Sequence, residues 1–391
     1  MKKMTLKNKL LAGSVAMVVL VMAASAIVVS VVINRQNRTA SFQNIERSLN
    51  IIREDLSGIQ DKLLADTRQM AGINEMGSTL KFVQQFKDNK VMIVNPLRKM
   101  TMGIGQVGMT GNLWKTAIYG SEGELIAFSD HRAGGELLLG SVYDTAKGVV
   151  SAATLKEGKK IEHKDWKDMA QFQDPKIKLK FRGEIPKKET VIFEDIKNTI
   201  CIVSLVPITA EEYTADSDKA AIKQVGFAMG VRRLEKSFVE KMSRTTSMKI
   251  NFFVKKGLSL GDIRDYTTLQ TDEIKKSKEK WTLKKGRLLL NEIGLKAGNY
   301  FQGVLPLYGA SRFVGAIAAL QSTDIVKSNT WQMIQLLGLV YLACVLVIVP
   351  CAVIFSNSLS KPINKIIKIL TETSQKVSAA SAQVSISSNQ L

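Results

Sequence analysis

The chain has 391 residues, of which 45% are apolar, and its 55 lysine and arginine residues against 35 acidic residues give a net charge of +20. Two long uncharged apolar runs exclude a wholly soluble protein and place the chain in the membrane class. The segment between the runs contains only Cys201 of the three cysteines, so it cannot form a disulfide of its own. The basic surplus has two interpretations: an anionic ligand or partner, or lysines on an outer surface near anionic lipid.

The first apolar run, residues 10–33, is long enough to cross a hydrocarbon core of about 30 Å. A cleavable signal peptide is the alternative, because Ala24, Ser25 and Ala26 have the small-x-small form of a cleavage site. The run continues for about two more helical turns beyond these residues. Its length therefore favours an uncleaved membrane anchor.

The second apolar run, residues 333–355, predicts a second membrane-spanning helix. Lysines precede the first span and follow the second, and such lysines prefer the cytoplasmic side of a membrane. We therefore expect residues 1–9 and 356–391 in the cytoplasm of a bacterium and residues 34–329 outside its inner membrane.

Residues 34–76 are predicted to form one long helix that extends the first span outwards. The helix contains no proline, and its apolar positions keep a three–four spacing that only Asp66 interrupts: Phe42, Ile45, Leu49, Ile52, Leu56, Ile59, Leu63, Met70 and Ile73. This stripe could pair with a second copy in a homodimer or pack on a sheet of its own chain. A seam held over about four heptads favours the homodimer.

Three glycines, Gly103, Gly105 and Gly108, have the Gly-x-Gly-x-x-Gly spacing of dinucleotide-binding loops, and Asp130 follows at roughly the distance that this motif requires. We reject a dinucleotide site because further glycines, rather than an evident helix, follow the motif. The site would also face the outside, where nicotinamide cofactors are not expected. We therefore predict a flexible glycine-rich loop and no cofactor.

Residues 77–232 are predicted to form the first of two modules outside the membrane. Residues 113–119 and 124–129 form a predicted β-hairpin around a Gly-rich turn, and residues 141–189, which are rich in lysine, are predicted to be mostly loop and short helix. Further strands are predicted at residues 189–194, 199–207 and 222–231, with the turn between the first two at residues 195–198.

Residues 233–329 are predicted to form the second module, with a similar order of elements. A helix is predicted at residues 233–246, and strands are predicted at residues 249–254, 258–260, 281–292, 298–307 and 312–320. A helix followed by a meander of antiparallel strands, twice over, predicts an α+β fold in which helices cover the sheets.

Residues 356–391 are predicted to turn at residues 358–362 and to continue as a coiled-coil helix. Apolar and small residues recur there at spacings of four and three: Ile363, Ile367, Leu370, Ser374, Val377, Ser381, Val384, Ser388 and Leu391. A membrane span that leads into such a helix could pass a small displacement of the outer domain to the cytoplasm.

The order of these elements resembles that of methyl-accepting chemotaxis proteins with a double Cache sensor domain. Residues 113–128 are similar to the hairpin of a Cache module, residues 225–234 and 250–253 to the transition into the second module, and residues 374–391 to the start of the signalling helix. The resemblance implies two PAS- or Cache-like antiparallel-sheet modules on the long N-terminal helix, between two transmembrane helices, with a C-terminal coiled-coil helix.

The sequence departs from that family in its C-terminal part. Residues 359–362 resemble the opening of a HAMP linker, but the second linker helix is missing and no kinase-contacting hairpin tip follows, as in a fragment or a short reading frame. We therefore expect contacts with a cytoplasmic kinase and adaptor only if a signalling tip follows. Glu372, Gln375 and Gln383 lack the paired pattern of methylation sites, so we assign none.

The resemblance implies a small-molecule site in the membrane-distal module, between its sheet and the covering loops. The candidate residues are Trp114, Tyr119 and Phe128 on the hairpin, with His131 and Arg132 just after it. Aromatic walls and one cation would suit a small carboxylate. The alternatives are ordinary core packing of the aromatic residues and a solvated loop charge at Arg132. The Tyr, Arg, Trp, Tyr and Asp set of amino-acid-binding Cache modules does not occur, which argues against an amino-acid ligand.

Catalytic and metal-binding patterns are weak in this sequence. Its two histidines, His131 and His163, have no second ligand at the spacing of a helical zinc site, and no Gly-x-Ser-x-Gly motif occurs. Residues 215–218 are too few for a calcium loop. We expect no enzyme, no metal and no nucleic-acid partner, and interpret the chain as a transmembrane chemoreceptor for a small external ligand. The alternatives are the input half of a sensor histidine kinase or cyclase, and a membrane-tethered enzyme or binding protein.

Overall fold

The computed structural model of the protein describes residues 6–132, 134–144, 149–156, 161–169, 172–212, 221–271, 288–310 and 312–388. The chain forms two compact units. One consists of the two ends of the chain, up to Ala40 and from Thr323, and the other is the outer unit, Ser41–Ser322.

The unit at the chain ends consists of the first part of the long helix α1 (Leu6–Gly72), up to Ala40, and of the long helix α5 (Thr323–Ser388). Each contains an 18-residue window long and apolar enough to cross a membrane, with mean hydropathy 2.9 in α1 and 2.8 in α5 and none of the window buried inside the protein. Within this unit the Asn37 amide donates to Thr330 Oγ1 and the Tyr341 hydroxyl donates to Ser25 Oγ, both at 2.8 Å. The two predicted apolar helices are therefore present.

The turn predicted at residues 358–362 is absent, because α5 continues as a helix through Pro362. A proline inside a helix removes one backbone hydrogen bond and can bend the helix without ending it. Beyond Pro362, four apolar positions of the predicted coiled-coil seam are exposed: Ile367, Leu370, Val377 and Val384. The coiled coil itself stays a prediction.

The outer unit contains two antiparallel sheets, as the α+β prediction requires. The first sheet along the chain, which we call the distal sheet after its predicted position, has eight strands in the order β5-β4-β3-β2-β1-β8-β7-β6. Its strands are β1 (Lys115–Gly120), β2 (Leu125–His131), β3 (Leu137–Asp144), β4 (Val149–Leu155), β5 (Lys167–Met169), β6 (Thr190–Ile196), β7 (Thr199–Glu212) and β8 (Ala221–Arg233). The β1–β2 and β6–β7 hairpins lie where the sequence predicts them, and Lys197 and Asn198 make the second turn with left-handed φ angles of 52° and 65°.

The second sheet has five strands in the order β10-β9-β13-β12-β11. Its strands are β9 (Lys249–Val254), β10 (Gly257–Gly261), β11 (Leu289–Leu295), β12 (Gly298–Tyr308) and β13 (Phe313–Ser322), and α4 (Lys236–Thr246) precedes them. Of the strand predicted at residues 281–292, the part up to residue 287 lies outside the described residues. β13 ends at Ser322 and α5 begins at the next residue.

The apolar stripe of α1 packs on both sheets of its own chain. Ile45 and Leu49 lie against Gly303 of β12, and Leu63 and Met70 lie against Gly230 of β8. All four apolar side chains are fully buried. Of the two predicted roles for this stripe, the structure shows packing on the chain's own sheets. A homodimer stays a prediction, and its interface would have to be formed by other residues.

The predicted glycine-rich loop is wrong. Residues Lys90–Thr110 form the helix α3, which follows α2 (Met76–Gln85) and packs on the distal sheet. A Cβ atom on Gly105 would lie 2.4 Å from Leu139 Cδ2 of β3, so the missing side chain lets helix and sheet approach closely. Residues 141–189 contain more strand than predicted, because β3 ends there and β4 and β5 pair beside it. The rest of the described part of this segment is mostly irregular with one short helix at His163–Asp165, as predicted.

Candidate functional site

A cavity of about 620 Å³ lies at one end of the distal sheet, where β8 leads into α4. Its walls come from the start of β1, the end of β2 and the chain segment before α4, and Ile59 of α1 also contributes. The charged and aromatic residues that line it are Trp114, Lys115, Asp130, His131, Arg132, Asp174, Lys197, Arg232, Arg233, Glu235 and Phe238. Residues of the distal sheet and of the segment that begins the second module therefore meet in one cavity.

Trp114 is held by the backbone at the edge of this cavity. Its N–H donates to the Val231 carbonyl and its own carbonyl accepts from His131 N, both at 2.8 Å. The Lys115 ammonium lies 4.6 Å from the centre of the indole ring, and the Arg233 guanidinium carbon lies 5.3 Å from it. An indole face attracts cations, so Trp114 stabilises the Lys115 and Arg233 side chains at the cavity wall.

Lys115 is the most unusual residue of the site, because its side chain is only 2% exposed. Its ammonium donates to Asp130 Oδ1 at 2.5 Å and to Asp174 Oδ2 at 2.6 Å. A buried charge needs such partners, since an uncompensated ammonium in a protein interior is strongly unfavourable. We call Lys115, Asp130 and Asp174 the buried triad.

Asp174 is brought to the triad by residues 172–189, a segment we call the strap, which crosses one face of the distal sheet. Asp174 Oδ1 accepts from the backbone N–H groups of Lys176 and Ile177, at 2.8 and 2.7 Å, and so fixes the turn that starts the strap. Further along, Ile177, Leu179 and Phe181 pack into the core of the distal sheet. The same carboxylate thus positions the strap and neutralises Lys115.

The cavity has an excess of positive charge, with five lysine and arginine side chains against three carboxylates. Two of the carboxylates bind Lys115, and the third, Glu235, binds Arg233 at 2.6 Å. Arg132 Nε lies 3.9 Å from Asp130 Oδ2, and its side chain is 47% exposed. The carboxylates are therefore engaged within the protein, while cationic groups face the cavity.

Three of the five predicted site residues, Trp114, His131 and Arg132, line this cavity. His131 Nδ1 is buried there and has no hydrogen-bond partner among the described residues. The ligand roles of these residues stay predictions. The sequence pointed to them because they flank the β1–β2 hairpin, and it missed the Lys115 and Asp174 side chains.

The other two predicted residues, Tyr119 and Phe128, lie in the core of the distal sheet and are fully buried. The Tyr119 ring stacks on Phe227 with 5.1 Å between ring centres, and the Phe128 ring lies 4.3 Å from that of Phe172. The Tyr119 hydroxyl accepts from the backbone N–H of Lys178, and burial raises the pKa of Tyr119 well above its ordinary value. The structure thus does not place these two residues on the cavity wall.

The described residues contain no group of three or more histidine, cysteine, aspartate and glutamate side chains arranged to hold a metal ion. The one cysteine of the outer unit, Cys201, is buried in β7, and burial raises the pKa of its thiol to about 12. A thiol with so high a pKa is a weak nucleophile at neutral pH.

No family model matches the sequence, and no curated protein does. Among solved structures, the chain is similar to the ligand-binding domain of the Campylobacter jejuni chemoreceptor Tlp3 in complex with 4-methylisoleucine, with 11% identity over 75% of this chain and 94% of that one, and a TM-score of 0.39. It is also similar to the sensor domain of the Vibrio cholerae histidine kinase DctB, with 10% identity over 73% of this chain and 96% of that one, and a TM-score of 0.37. The periplasmic domain of Vibrio cholerae LuxQ matches with 9% identity over 72% of this chain and 99% of that one, and a TM-score of 0.31. At these values the matches identify neither a family nor a function for this chain.

Proposed function

We propose that the protein is a two-span chemoreceptor of the bacterial inner membrane, which binds a small organic anion outside the membrane in the cavity beside the buried triad. The single observation that carries this proposal is the charge arrangement of the cavity. Asp130 and Asp174 are both bonded to Lys115, so the acidic pair has no need of a ligand amine. Arg132 and Arg232 face the same cavity and can receive a carboxylate.

The position of the cavity supports a role in signalling. A ligand there would touch the strand ends of the distal sheet through Trp114, Arg132 and Arg232, and would touch the start of α4 through Phe238. The second module then leads through β13 into α5 without an intervening loop. A ligand that binds one arrangement of these elements more tightly than another would shift the equilibrium towards that arrangement. The resulting displacement would then pass along α5 through the membrane.

A homodimer is the proposed working form of the receptor. Its support is the seam of α5 beyond Pro362, where Leu370, Val377 and Val384 recur every seven residues and are 63%, 60% and 68% exposed. Apolar residues at this spacing are buried when two such helices wind together. Mass photometry of the full chain in detergent would give the oligomeric state, and a monomer would contradict this part of the proposal.

The ligand proposal can be tested on the full chain in lipid nanodiscs. Organic acids, amino acids and amines are screened for a shift in melting temperature, and the hits are titrated by calorimetry. Arg132→Ala should weaken binding of an organic acid by about tenfold or more, because a charge-assisted hydrogen bond contributes on the order of 1.5–3 kcal/mol. Arg264→Ala, which removes an exposed arginine of the second module, is the matched control. An Arg132→Ala affinity equal to that of the unmodified protein, or hits confined to amines, would refute the site.

A further inference from the structure

A second and larger cavity lies between the strap and the strands β6 and β7, with a volume of about 1350 Å³. Its floor is apolar and consists of Ile192 of β6 with Val203 and Leu205 of β7. Phe181, Ile185 and Pro186 of the strap form the opposite wall. Among the described residues it shares only Pro175 with the cavity beside the triad.

The strap that roofs this cavity is fixed to the sheet along its length. The Phe181 N–H donates to the Gly123 carbonyl at 2.7 Å, and the Leu179 carbonyl accepts from Leu125 N at 2.8 Å. Near its far end the Gln224 amide donates to the Pro186 carbonyl at 3.0 Å. Two backbone hydrogen bonds and one from the Gln224 side chain hold the strap in place, so the space beneath it is a built feature of the fold.

Basic side chains of the strap border the cavity because successive side chains along the strap alternate in direction. In an extended segment successive side chains point to opposite sides. Ile177, Leu179 and Phe181 enter the core of the sheet, while Lys176, Lys178 and Arg182 border the cavity. Lys187 and Lys188 add two further cations near its end.

Most of this positive charge is not neutralised inside the protein. Glu194 pairs with Lys176 at 2.5 Å, which leaves Glu184 as the other carboxylate of the cavity wall. Arg182, Lys187 and Lys188 are exposed and form no ion pair with any other described residue. An apolar floor below a basic rim is complementary to a molecule with an apolar body and one negatively charged end.

We propose that the strap cavity is a second ligand site, separate from the cavity beside the triad, and that it binds carboxylates with an aromatic or aliphatic body. The apolar body would lie on Ile192 and Leu205, and the carboxylate would face Arg182, Lys187 and Lys188. The bound molecule would contact the strap, whose first turn contains Asp174 of the buried triad.

The test uses 2-naphthoate as the probe and the full chain in lipid nanodiscs, with empty nanodiscs as the blank, and reads binding by isothermal titration calorimetry. The triple variant R182Q/K187Q/K188Q should lose at least tenfold in affinity, and the neutral 2-naphthylmethanol should bind the unmodified protein at least tenfold more weakly. The matched control K62Q/K255Q/K256Q removes three exposed lysines elsewhere, with the same change in net charge, and should lose less than twofold. R132A should lose less affinity for 2-naphthoate than R182Q/K187Q/K188Q does, because Arg132 does not line the strap cavity.

Four results would each overturn the proposal: no heat above the blank at about 2 mM probe, equal binding of the neutral probe, an equal loss in the two triple variants, or loss of binding in R132A. The last result would place the probe in the cavity beside the triad. The control variants also separate this proposal from the proposed function, because removing the rim cations leaves Arg132 and the triad untouched.

Discussion

Replacing Lys115 by methionine should destabilise the outer unit by about 3–5 kcal/mol, which is the usual cost of breaking a buried ion pair by removing one partner. The estimate follows from burial: the Lys115, Asp130 and Asp174 side chains are 2%, 15% and 5% exposed. Methionine keeps most of the length of the lysine stem, so packing changes little. The two carboxylates would then lose the cation between them, with only Arg132 Nε 3.9 Å from Asp130 Oδ2 remaining, and water could reach neither of them well.

The assay is urea unfolding of the full chain in nanodiscs, followed by tryptophan fluorescence, which responds to Trp114 beside the triad. The informative control is K115M/D130N/D174N, which removes the charges of all three residues together. Replacing a buried charge cluster by neutral groups of similar volume is often nearly neutral in free energy. The amide oxygen that D174N introduces can still accept from the two strap N–H groups. The reasoning would be refuted if K115M lost less than about 1 kcal/mol, or if the triple variant were no more stable than K115M.

Three further predictions concern packing, pH and topology. Gly58→Ala, at an open position of α1, should raise the free energy of unfolding by about 1 kcal/mol. Gly77→Ala should lower it, because the new Cβ would lie 2.1 Å from the Thr209 carbonyl oxygen. Urea unfolding that shifts the stability of both variants in the same direction would contradict this. Burial raises the pKa of the Cys201 thiol from 9.0 to about 12, so its contribution to stability is complete below pH 9 and is lost as the pH rises towards 12. In Cys201→Ala the free energy of unfolding should therefore fall less steeply with pH in this range, by up to about 1.4 kcal/mol per pH unit. A slope equal to that of the unmodified protein would contradict the prediction. A cysteine at the exposed position Lys99 should react with a membrane-impermeant maleimide in cells with a permeabilised outer envelope, and labelling only after lysis would refute the orientation.

The parts of the fold that sequence reasoning found are those with local signals. The β1–β2 hairpin has its turn residues between two β-rich runs, and α1 has a stripe of constant spacing with no proline. Such patterns depend on neighbours within a few residues, so a single sequence contains them. The strand β9 was predicted at the residues where it lies, Lys249–Val254, for the same reason.

The sequence did not predict the helix α3 because its glycines are explained by tertiary packing and not by local helix propensity. Glycine is unfavourable in a helix taken alone, so the sequence pattern favours a loop. In the folded chain Gly105 and Gly108 face the distal sheet, where a Cβ on Gly108 would lie 3.3 Å from Thr116 Cγ2. The contact that explains these glycines is formed only after the sheet has formed.

The candidate site was found in part for a related reason. Trp114, His131 and Arg132 flank a hairpin, so their proximity follows from the pairing of β1 with β2. Asp174 is 59 residues away from Lys115 in the sequence and reaches it only through the path of the strap. No periodicity or spacing in the sequence encodes that contact.

The strap also determines what the cavity beside the triad can select. A ligand amine would have to displace the Lys115 ammonium from both aspartates, and this would leave a buried ammonium without partners. A ligand carboxylate displaces no group of the triad and can form ion pairs with Arg132 and Arg232. The preference for anions therefore comes from Arg132 and Arg232, since Lys115 already neutralises Asp130 and Asp174, and the K115M/D130N/D174N variant should keep that preference. If the triple variant bound amines in place of organic acids, selectivity would reside in the triad itself and the role given to the two arginines would be wrong.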